Sequence, residues 1–144
     1  MRNIKLLLEY DGTDFLGWQI QREGRTVQAV IRDTLKELLQ EDVNLIGAGR
    51  TDSGVHARGQ VANFKTESDR DIKIIHRALN GLLPQDIRIH EVSEAPINFN
   101  SRYDALSRTY RYYISLKPLS IERQFRWYCY YKLDMQMLDA CSKY

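Results

Sequence analysis

The order of strand-like and helix-like segments along the first two thirds of the chain constrains its fold most strongly. Alternation of apolar and polar residues predicts four strands, and apolar residues repeating every three to four positions predict two helices. One helix spans 27–40 with Thr26 as its N-cap, and the other begins at about 71 and stops at Gly81 and Pro84. The strands are "NIKLLLEYD", "VNLIGA", "GQVANFKT" and "DIRIHEV".

The resulting β-α-β-β-α-β order predicts an α+β fold, a ferredoxin-like split βαβ with an antiparallel sheet and helices on one face. Two more strands are predicted near 107–116 and 125–131, forming an additional β-hairpin. A C-terminal helix is predicted from Asp134. Its apolar side is formed by Met137, Leu138, Cys141 and Tyr144.

The composition is that of a globular protein without a membrane segment. Hydrophobic residues make up 43% of the chain and charged residues 28%. No apolar run approaches the roughly 20 residues of a membrane span, and the N-terminal apolar stretch is too short for a signal peptide. Cys129 and Cys141 form no CxxC pair. These features predict a cytoplasmic protein with reduced thiols and no membrane association.

Basic and aromatic residues are concentrated in the stretch 102–132. It holds seven Lys or Arg residues against two acidic ones, and nine of the fifteen aromatic residues of the chain. Basic residues interleaved with aromatic ones suit a polyanion whose bases can be stacked, which describes unpaired RNA. The structural alternative is an aromatic-rich strand pair with solvated arginines, and this stretch alone leaves both interpretations open.

The glycine-rich segment "IGAGRTDSGVHARGQ" (46–60) contains few residues that could pack a core, and it fits neither of two common phosphate-binding motifs. In a dinucleotide-binding GxGxxG turn that starts at Gly47, the third glycine would fall on Asp52. A GxxxxG spacing follows, as in a P-loop, but the required Lys-Ser/Thr pair is replaced by Val55 and His56. Asp52 therefore needs another explanation.

An aspartate in a glycine-flanked turn often only hydrogen-bonds its own backbone, and this structural explanation is available for Asp52. Three features favour a functional role instead. Arg50 and Arg58 can keep the carboxylate ionised, the glycines leave room for a bulky ligand, and the flanking strands can aim the loop. An ionised carboxylate among cations suits a nucleophile or a general base. No metal site is predicted, because only His56 is near.

Six segments carry a resemblance to a known family. In chain order they are "EYDGTDFLGWQIQ", "TVQAVI", "GRTDSGVHARGQV", "LNGLLPQDIRI", "FNSRYDALSRTYRYYI" and "LDMQMLDACSKY". They resemble the TruA family of tRNA pseudouridine synthases, and the third segment resembles the signature of that family. The resemblance covers essentially the whole chain.

The resemblance implies an enzyme that converts uridine to pseudouridine in the anticodon stem-loop of tRNA, at positions 38 to 40. It implies that no metal or cofactor is used and that the full-length protein is a homodimer. It also implies that Asp52 is the catalytic residue, that Arg50 is the basic residue paired with it, and that Tyr110 stacks on the target uracil. Arg58 and Arg108 are further candidates for RNA contacts. On a strand from 107, Arg108, Tyr110 and Tyr112 would share a face.

The implied reaction cleaves the N1–C1′ bond, rotates the uracil and rejoins it through C5. Neither atom can be reached inside a stacked helix, so the nucleotide must be flipped out. Asp52 could add to the ring, attack the sugar or remove a ribose proton, and the sequence leaves these three roles open.

The chain departs from the family pattern in length. The polypeptides of the TruA family are nearly twice as long and fold as two similar halves with the active cleft between them, and this chain matches the first half. Residues 1–144 are therefore expected to be the N-terminal α/β half of a catalytic domain whose C-terminal half is absent, and to be inactive alone. The alternative is a non-catalytic RNA-binding module or an inactive truncated fragment of that enzyme.

Overall fold

The computed structural model describes residues 1–143, and the chain forms two compact units, Met1–Arg108 and Thr109–Tyr144. The first unit contains a four-stranded sheet and two helices, and the second contains a two-stranded sheet and a short helix. Within residues 1–143, no helix is both long enough and apolar enough to cross a membrane.

The first unit has the β-α-β-β-α-β order that the sequence predicts. Its elements are β1 (Arg2–Tyr10), α1 (Val27–Leu39), β2 (Ile46–Gly47), β3 (Ala57–Thr66), α2 (Ile72–Leu82) and β4 (Ile87–Ala95). The strands pair in the order β2-β3-β1-β4, and all three pairings are antiparallel. This is the split βαβ arrangement, in which β3 is inserted between β1 and β2. The prediction of an α+β fold is confirmed.

The hydrophobic core lies between one face of this sheet and the two helices. From Ile4 to Tyr10, every second side chain of β1 is buried, and across the strand pair Ile4 is opposite Phe64 and Leu6 is opposite Ala62. The helices contribute apolar stripes whose central members are fully buried: Ile31, Leu35, Ile75 and Leu79. Each such side chain stabilises the fold by roughly 1.5–3 kcal/mol. The core therefore holds the sheet rigidly, and the loops at its ends start from fixed positions.

β2 is shorter than the predicted strand "VNLIGA", for a local reason. Val43 and Leu45 are buried in the core, and the carbonyl of Leu45 accepts a 2.8 Å hydrogen bond from Gln28 Nε2 of α1. Because a helix side chain occupies this backbone acceptor, pairing with β3 begins only at Ile46.

The N-cap role predicted for the Thr26 hydroxyl is wrong. The Thr26 backbone is extended, as at an N-cap, but its side chain makes no capping hydrogen bond, and its Oγ1 is buried without a partner in the described part of the chain. The N–H of Val27 donates to the carbonyl of Gly17 instead, and the N–H of Gln28 donates to the carbonyl of Trp18. The preceding loop thus satisfies the first turn of α1 through its backbone.

α2 begins as predicted and ends at Leu82, between the two predicted stop residues, Gly81 and Pro84. The Asp71 carboxylate caps it by accepting a 2.7 Å hydrogen bond from the N–H of Lys73. Gly81 lies inside the helix, which continues to Leu82. The stop therefore falls just before Pro84, whose ring disfavours a helical conformation of the residue before it.

The second unit contains β5 (Ile114–Ser115), a short 3-10 helix (Arg123–Phe125), β6 (Trp127–Tyr128) and α3 (Met135–Cys141). β5 and β6 pair in parallel over two residues each, so the predicted β-hairpin is wrong. The strand predicted over 107–116 is reduced to β5, and Tyr110 lies outside it. Aromatic residues favour strands when one face of the strand is buried. Almost every side chain of this unit is exposed, so the condition is not met.

α3 begins where the sequence predicts a helix. The Asp134 carboxylate accepts two 3.0 Å hydrogen bonds from backbone N–H groups of the first turn. The predicted apolar side is present in Met137, Leu138 and Cys141, all of which are exposed. Tyr144, the last member of that side, lies outside the described residues.

Candidate active site

Asp52 lies in the connection between β2 and β3, here called the Asp52 loop (residues 48–56), with its side chain exposed. Within residues 1–143, its carboxylate accepts no hydrogen bond and takes part in no ion pair. The turn is closed by the backbone instead, because the N–H of Val55 donates to the Asp52 carbonyl at 3.2 Å. The carboxylate is therefore not used to form the turn, which disfavours the purely structural explanation of this residue.

A second loop holds the Asp52 loop in place. This clamp segment (residues 11–18) follows β1, and the N–H of Trp18 donates a 3.0 Å hydrogen bond to the carbonyl of Thr51. On the other side of Asp52, the carbonyl of Phe15 accepts 3.2 Å hydrogen bonds from the N–H of Gly54 and from the Ser53 hydroxyl. Backbone atoms on both sides of Asp52 are thus fixed by one neighbouring segment.

Two glycines allow the clamp segment to approach this closely. A Cβ on Gly12 would lie 2.1 Å from the carbonyl oxygen of Val55, and a Cβ on Gly17 would lie 2.3 Å from that of Thr51. Gly17 also has a φ of +86°, which other residues rarely adopt. The close contact between the two loops therefore requires glycine at both positions.

The side chain of Thr51 contacts the end of the sheet. Its Oγ1 is 2.8 Å from the hydroxyl of Tyr10, the last residue of β1. Tyr10 is 3% exposed, and its ring centroid lies 6.0 Å from that of the equally buried Trp18. The residue before Asp52 is therefore anchored through both its carbonyl and its side chain.

His56 closes the far end of the Asp52 loop against the clamp segment. Its Nδ1 lies 3.1 Å from the N–H of Gly12 and 3.0 Å from Oδ1 of Asp11. The first contact needs a lone pair on Nδ1 and the second needs a proton there, so the tautomer of the ring decides which of the two is made. Partial burial raises the pKa of the Asp11 carboxyl, but hydrogen bonds from Thr13 and the proximity of His56 outweigh it and lower this pKa overall.

The structure does not join Asp52 to the cations that flank it in the sequence. Arg50 is exposed and forms no ion pair with Asp52 in the described part of the chain. Arg58 is exposed at the start of β3. The pairing of Arg50 with Asp52 that the family resemblance implies is therefore not made in this structure, and the roles of both arginines stay predictions.

Arg108 contacts the Asp52 loop, and the sequence did not predict this contact. Its Nε donates to the carbonyl of Ala48 at 2.8 Å, and its Nη2 donates to the carbonyl of Arg102 at 2.9 Å. The chain leading to it is anchored by buried Ser101, whose hydroxyl donates to the carbonyl of Ile46 at 2.7 Å. A cation is thus held beside the first residues of the Asp52 loop.

Tyr110 belongs to the second unit, where its side chain is 63% exposed and lies outside β5. The shared strand face predicted for Arg108 and Tyr110 is not formed, since neither residue is in a strand. Exposure leaves the Tyr110 ring free to stack on a base, and that role stays a prediction.

The residues that sequence reasoning missed lie in the clamp segment and at the end of β1. The sequence placed Tyr10 in the first predicted strand and assigned no role to the segment after it beyond the family resemblance, although the region provides Tyr10, Gly12, Gly17 and Trp18 to the site. Two glycines and a tryptophan in a stretch without periodicity were the available signal.

In the described residues, no group of three or more His, Cys, Asp or Glu side chains is placed to bind a metal ion.

Known proteins match this chain over most or all of its length. A family model described as tRNA pseudouridine synthase matches residues 7–104. The tRNA pseudouridine synthase A of Citrifermentans bemidjiense is 48% identical over 147 residues, covering 100% of this chain and 59% of the relative. The protein of the same name from Caldicellulosiruptor saccharolyticus is 46% identical, covering 100% and 60%. That of Geotalea daltonii is 46% identical, covering 96% and 58%.

The chain therefore spans about 60% of the length of these curated relatives. The family match includes the clamp segment, the Asp52 loop and β3, which together form the geometry described above. Arg108 and Tyr110 lie beyond that match, within the region that aligns with the relatives. The matched family and the relatives agree, and the chain belongs to the tRNA pseudouridine synthase family.

Proposed function

We propose that this chain is the N-terminal part of an isomerase that converts uridine to pseudouridine in the anticodon stem-loop of tRNA, with Asp52 as its catalytic residue. One observation carries the proposal. The Asp52 loop is fixed by hydrogen bonds on both sides of Asp52, while the carboxylate itself has no partner among residues 1–143. A group that acts on an incoming nucleotide needs a fixed backbone and a carboxylate that no other protein group binds.

The reaction is balanced without a further reactant. The bond between N1 and C1′ breaks, a bond between C5 and C1′ forms, a proton leaves C5, and N1 gains a proton. The nucleotide must be flipped out of its stack before either bond can be reached. Asp52 can add to the ring, attack C1′ or remove a ribose proton. Each of these roles needs an ionised carboxylate oxygen that no other group of the protein binds.

The binding roles in this proposal follow from exposure and charge. Arg108 uses Nε and Nη2 to hold backbone carbonyls beside the Asp52 loop, and its remaining N–H groups can contact a phosphate. Arg58 is an exposed cation on β3 that can contribute in the same way. Arg50 pairs with Asp52 or with the substrate, and Tyr110 stacks on the target uracil.

The remaining parts of the proposal concern the complete protein. Residues 1–144 form the N-terminal α/β half of its catalytic domain, and the part of the relatives that this chain does not cover corresponds to a second half that closes the cleft. The complete protein is a homodimer, as in the family that the sequence resembles, and it needs no cofactor. Free Cys129 and Cys141 fit a cytoplasmic location, where thiols stay reduced.

The test uses a chimera in which residues 1–144 are followed by the C-terminal part of the Citrifermentans bemidjiense relative that this chain does not cover. The substrate is a tRNA transcript tritiated at C5 of uridine, because isomerisation releases that tritium to water. We expect multiple turnover by the chimera, with the pseudouridine mapped to the anticodon stem-loop, and none by residues 1–144 alone.

Two outcomes would overturn parts of this account. A folded chimera that binds tRNA but releases no tritium would favour the alternative, a non-catalytic RNA-binding module that uses the ferredoxin-like sheet and the basic and aromatic surface. Multiple turnover by residues 1–144 alone would show that the half-chain already carries a complete site.

A further inference from the structure

We propose that Tyr10 is a positioning residue for Asp52 and that it acts through the hydroxyl of Thr51. This inference rests on the proposed function, because it assigns a role in the reaction of Asp52. Tyr10 does not reach the substrate, since it is 3% exposed beneath the Asp52 loop.

The position of Tyr10 is set by the sheet. It is the last residue of β1, and it is paired with Ala57 of β3 on one side and with Ile87 of β4 on the other. Its ring packs into the core beside Trp18. A hydroxyl on such a ring is held at a nearly fixed point in space, because neither the backbone nor the ring can move without disturbing the core.

The hydroxyl meets Thr51, the residue that precedes Asp52. The two oxygens are 2.8 Å apart, and the N–H of Trp18 binds the carbonyl of Thr51 at 3.0 Å. One contact fixes the side chain of Thr51 and the other fixes its peptide plane. Together they set the direction in which the chain enters Asp52, and hence where the carboxylate points.

Removing the Tyr10 hydroxyl should therefore loosen the direction of Asp52 without releasing the loop. The bonds from Gly54 and Ser53 to the carbonyl of Phe15 remain, so the loop stays docked on the clamp segment. A displacement of about 1 Å of a catalytic group can cost up to about 100-fold in rate. The loss is expected in kcat, because tRNA binding rests on phosphate contacts elsewhere.

The first experiment needs no activity, so it separates this inference from the proposed function. Hydrogen exchange is measured on residues 1–144 with Tyr10→Phe and with Thr51→Val. Both variants should raise exchange about five-fold or more at the amides of Trp18 and Val55, which donate to the carbonyls of Thr51 and Asp52, while the amide of Gly54 and amides in β1 stay protected. A uniform rise across the chain, or no rise at the amides of Trp18 and Val55, would overturn the positioning role.

The second experiment measures kcat and KM of the chimera. Tyr10→Phe and Thr51→Val should each lower kcat about ten-fold or more with KM nearly unchanged, and the double variant should be no worse than either single one. Thr51→Ser keeps the hydroxyl and should restore kcat. Thr66→Val is the matched control, because Thr66 is buried at the opposite end of β3 and its hydroxyl bonds Glu41.

Thr66→Val should lower the thermal midpoint without lowering kcat. The positioning role is overturned if Tyr10→Phe keeps full kcat, if its loss adds to that of Thr51→Val, or if Thr66→Val lowers kcat as much. A wild-type chimera that folds and binds tRNA but releases no tritium refutes the proposed function instead, and the exchange pattern still decides whether Tyr10 holds the Asp52 loop through Thr51.

Discussion

The backbone N–H of Trp18 donates a 3.0 Å hydrogen bond to the carbonyl of Thr51. This bond joins the clamp segment to the Asp52 loop immediately before Asp52, and the glycine at position 17 lets the two backbones come together there. The candidate site is therefore built from two segments that are far apart in the sequence.

Gly17→Ala should destabilise the protein far more than Gly54→Ala, although both glycines have positive φ. The backbone strain is common to both and costs about 1 kcal/mol. Only at Gly17 does the new Cβ overlap another atom, the carbonyl oxygen of Thr51 at 2.3 Å, whereas nothing lies within 4 Å at Gly54. We expect a loss of about 3 kcal/mol or more at Gly17 by urea unfolding. Equal losses would contradict the close approach of the two loops.

Thr26→Val should leave the stability unchanged or raise it by about 0.5–1 kcal/mol, because the hydroxyl that it removes is buried without a partner in the described part of the chain. A working N-cap would instead lose about 1 kcal/mol on this substitution. Thr66→Val is the matched control, since its buried hydroxyl is bonded to Glu41 and its removal should destabilise. Urea midpoints of both variants decide between the two expectations.

Asp11→Asn should weaken the acid sensitivity of folding. The pKa of the Asp11 carboxyl is lower in the folded chain than its ordinary value of 3.8. Its contribution to stability is therefore present above that value and is lost as the pH falls below it. The stability difference between wild type and Asp11→Asn should be larger at about pH 5 than at about pH 2. A difference that does not change with pH would contradict the contacts of Asp11 with Thr13 and His56.

The sequence predicts the first unit well because its signals are periodic. Ile4, Leu6 and Leu8 alternate along β1, and this alternation alone identifies the buried face of the strand. The glycines around Asp52 likewise mark a loop with unusual chemistry. The second unit was predicted poorly, because the strand preference of residues such as Tyr112 depends on a buried face, and this side chain is exposed.

The contacts between the clamp segment and the Asp52 loop could not be predicted from the spacing of residues in the sequence. The contacts of Thr51 with Tyr10 and Trp18 join positions that are about forty and about thirty residues apart, and a hydrogen bond across such a sequence separation leaves no periodic pattern. Thr26 failed as a cap for a similar reason, since the backbone of the clamp segment had already satisfied the first turn of α1. Tertiary contacts decided both outcomes.

Tyr110→Phe should bind substrate tRNA nearly as well as wild type, whereas Tyr110→Ala should lose about 1–3 kcal/mol, because stacking depends on the ring and not on the hydroxyl. Binding is measured with the chimera and a tRNA that carries 5-fluorouridine at the target position. Tyr112→Ala is a matched control, as another exposed tyrosine of the second unit. Equal losses for Phe and Ala at position 110 would assign the role to the hydroxyl and refute stacking.

We expect the Asp52 carboxylate to take part in the isomerisation itself. Asp52→Asn in the chimera keeps the shape of the side chain and removes its charge, so tritium release should fall to background while tRNA affinity stays within about two-fold. Asp69→Asn, the same change at an exposed aspartate after β3, should leave turnover intact. Measurable turnover by Asp52→Asn, after mass spectrometry has excluded deamidation to Asp, would contradict the catalytic assignment.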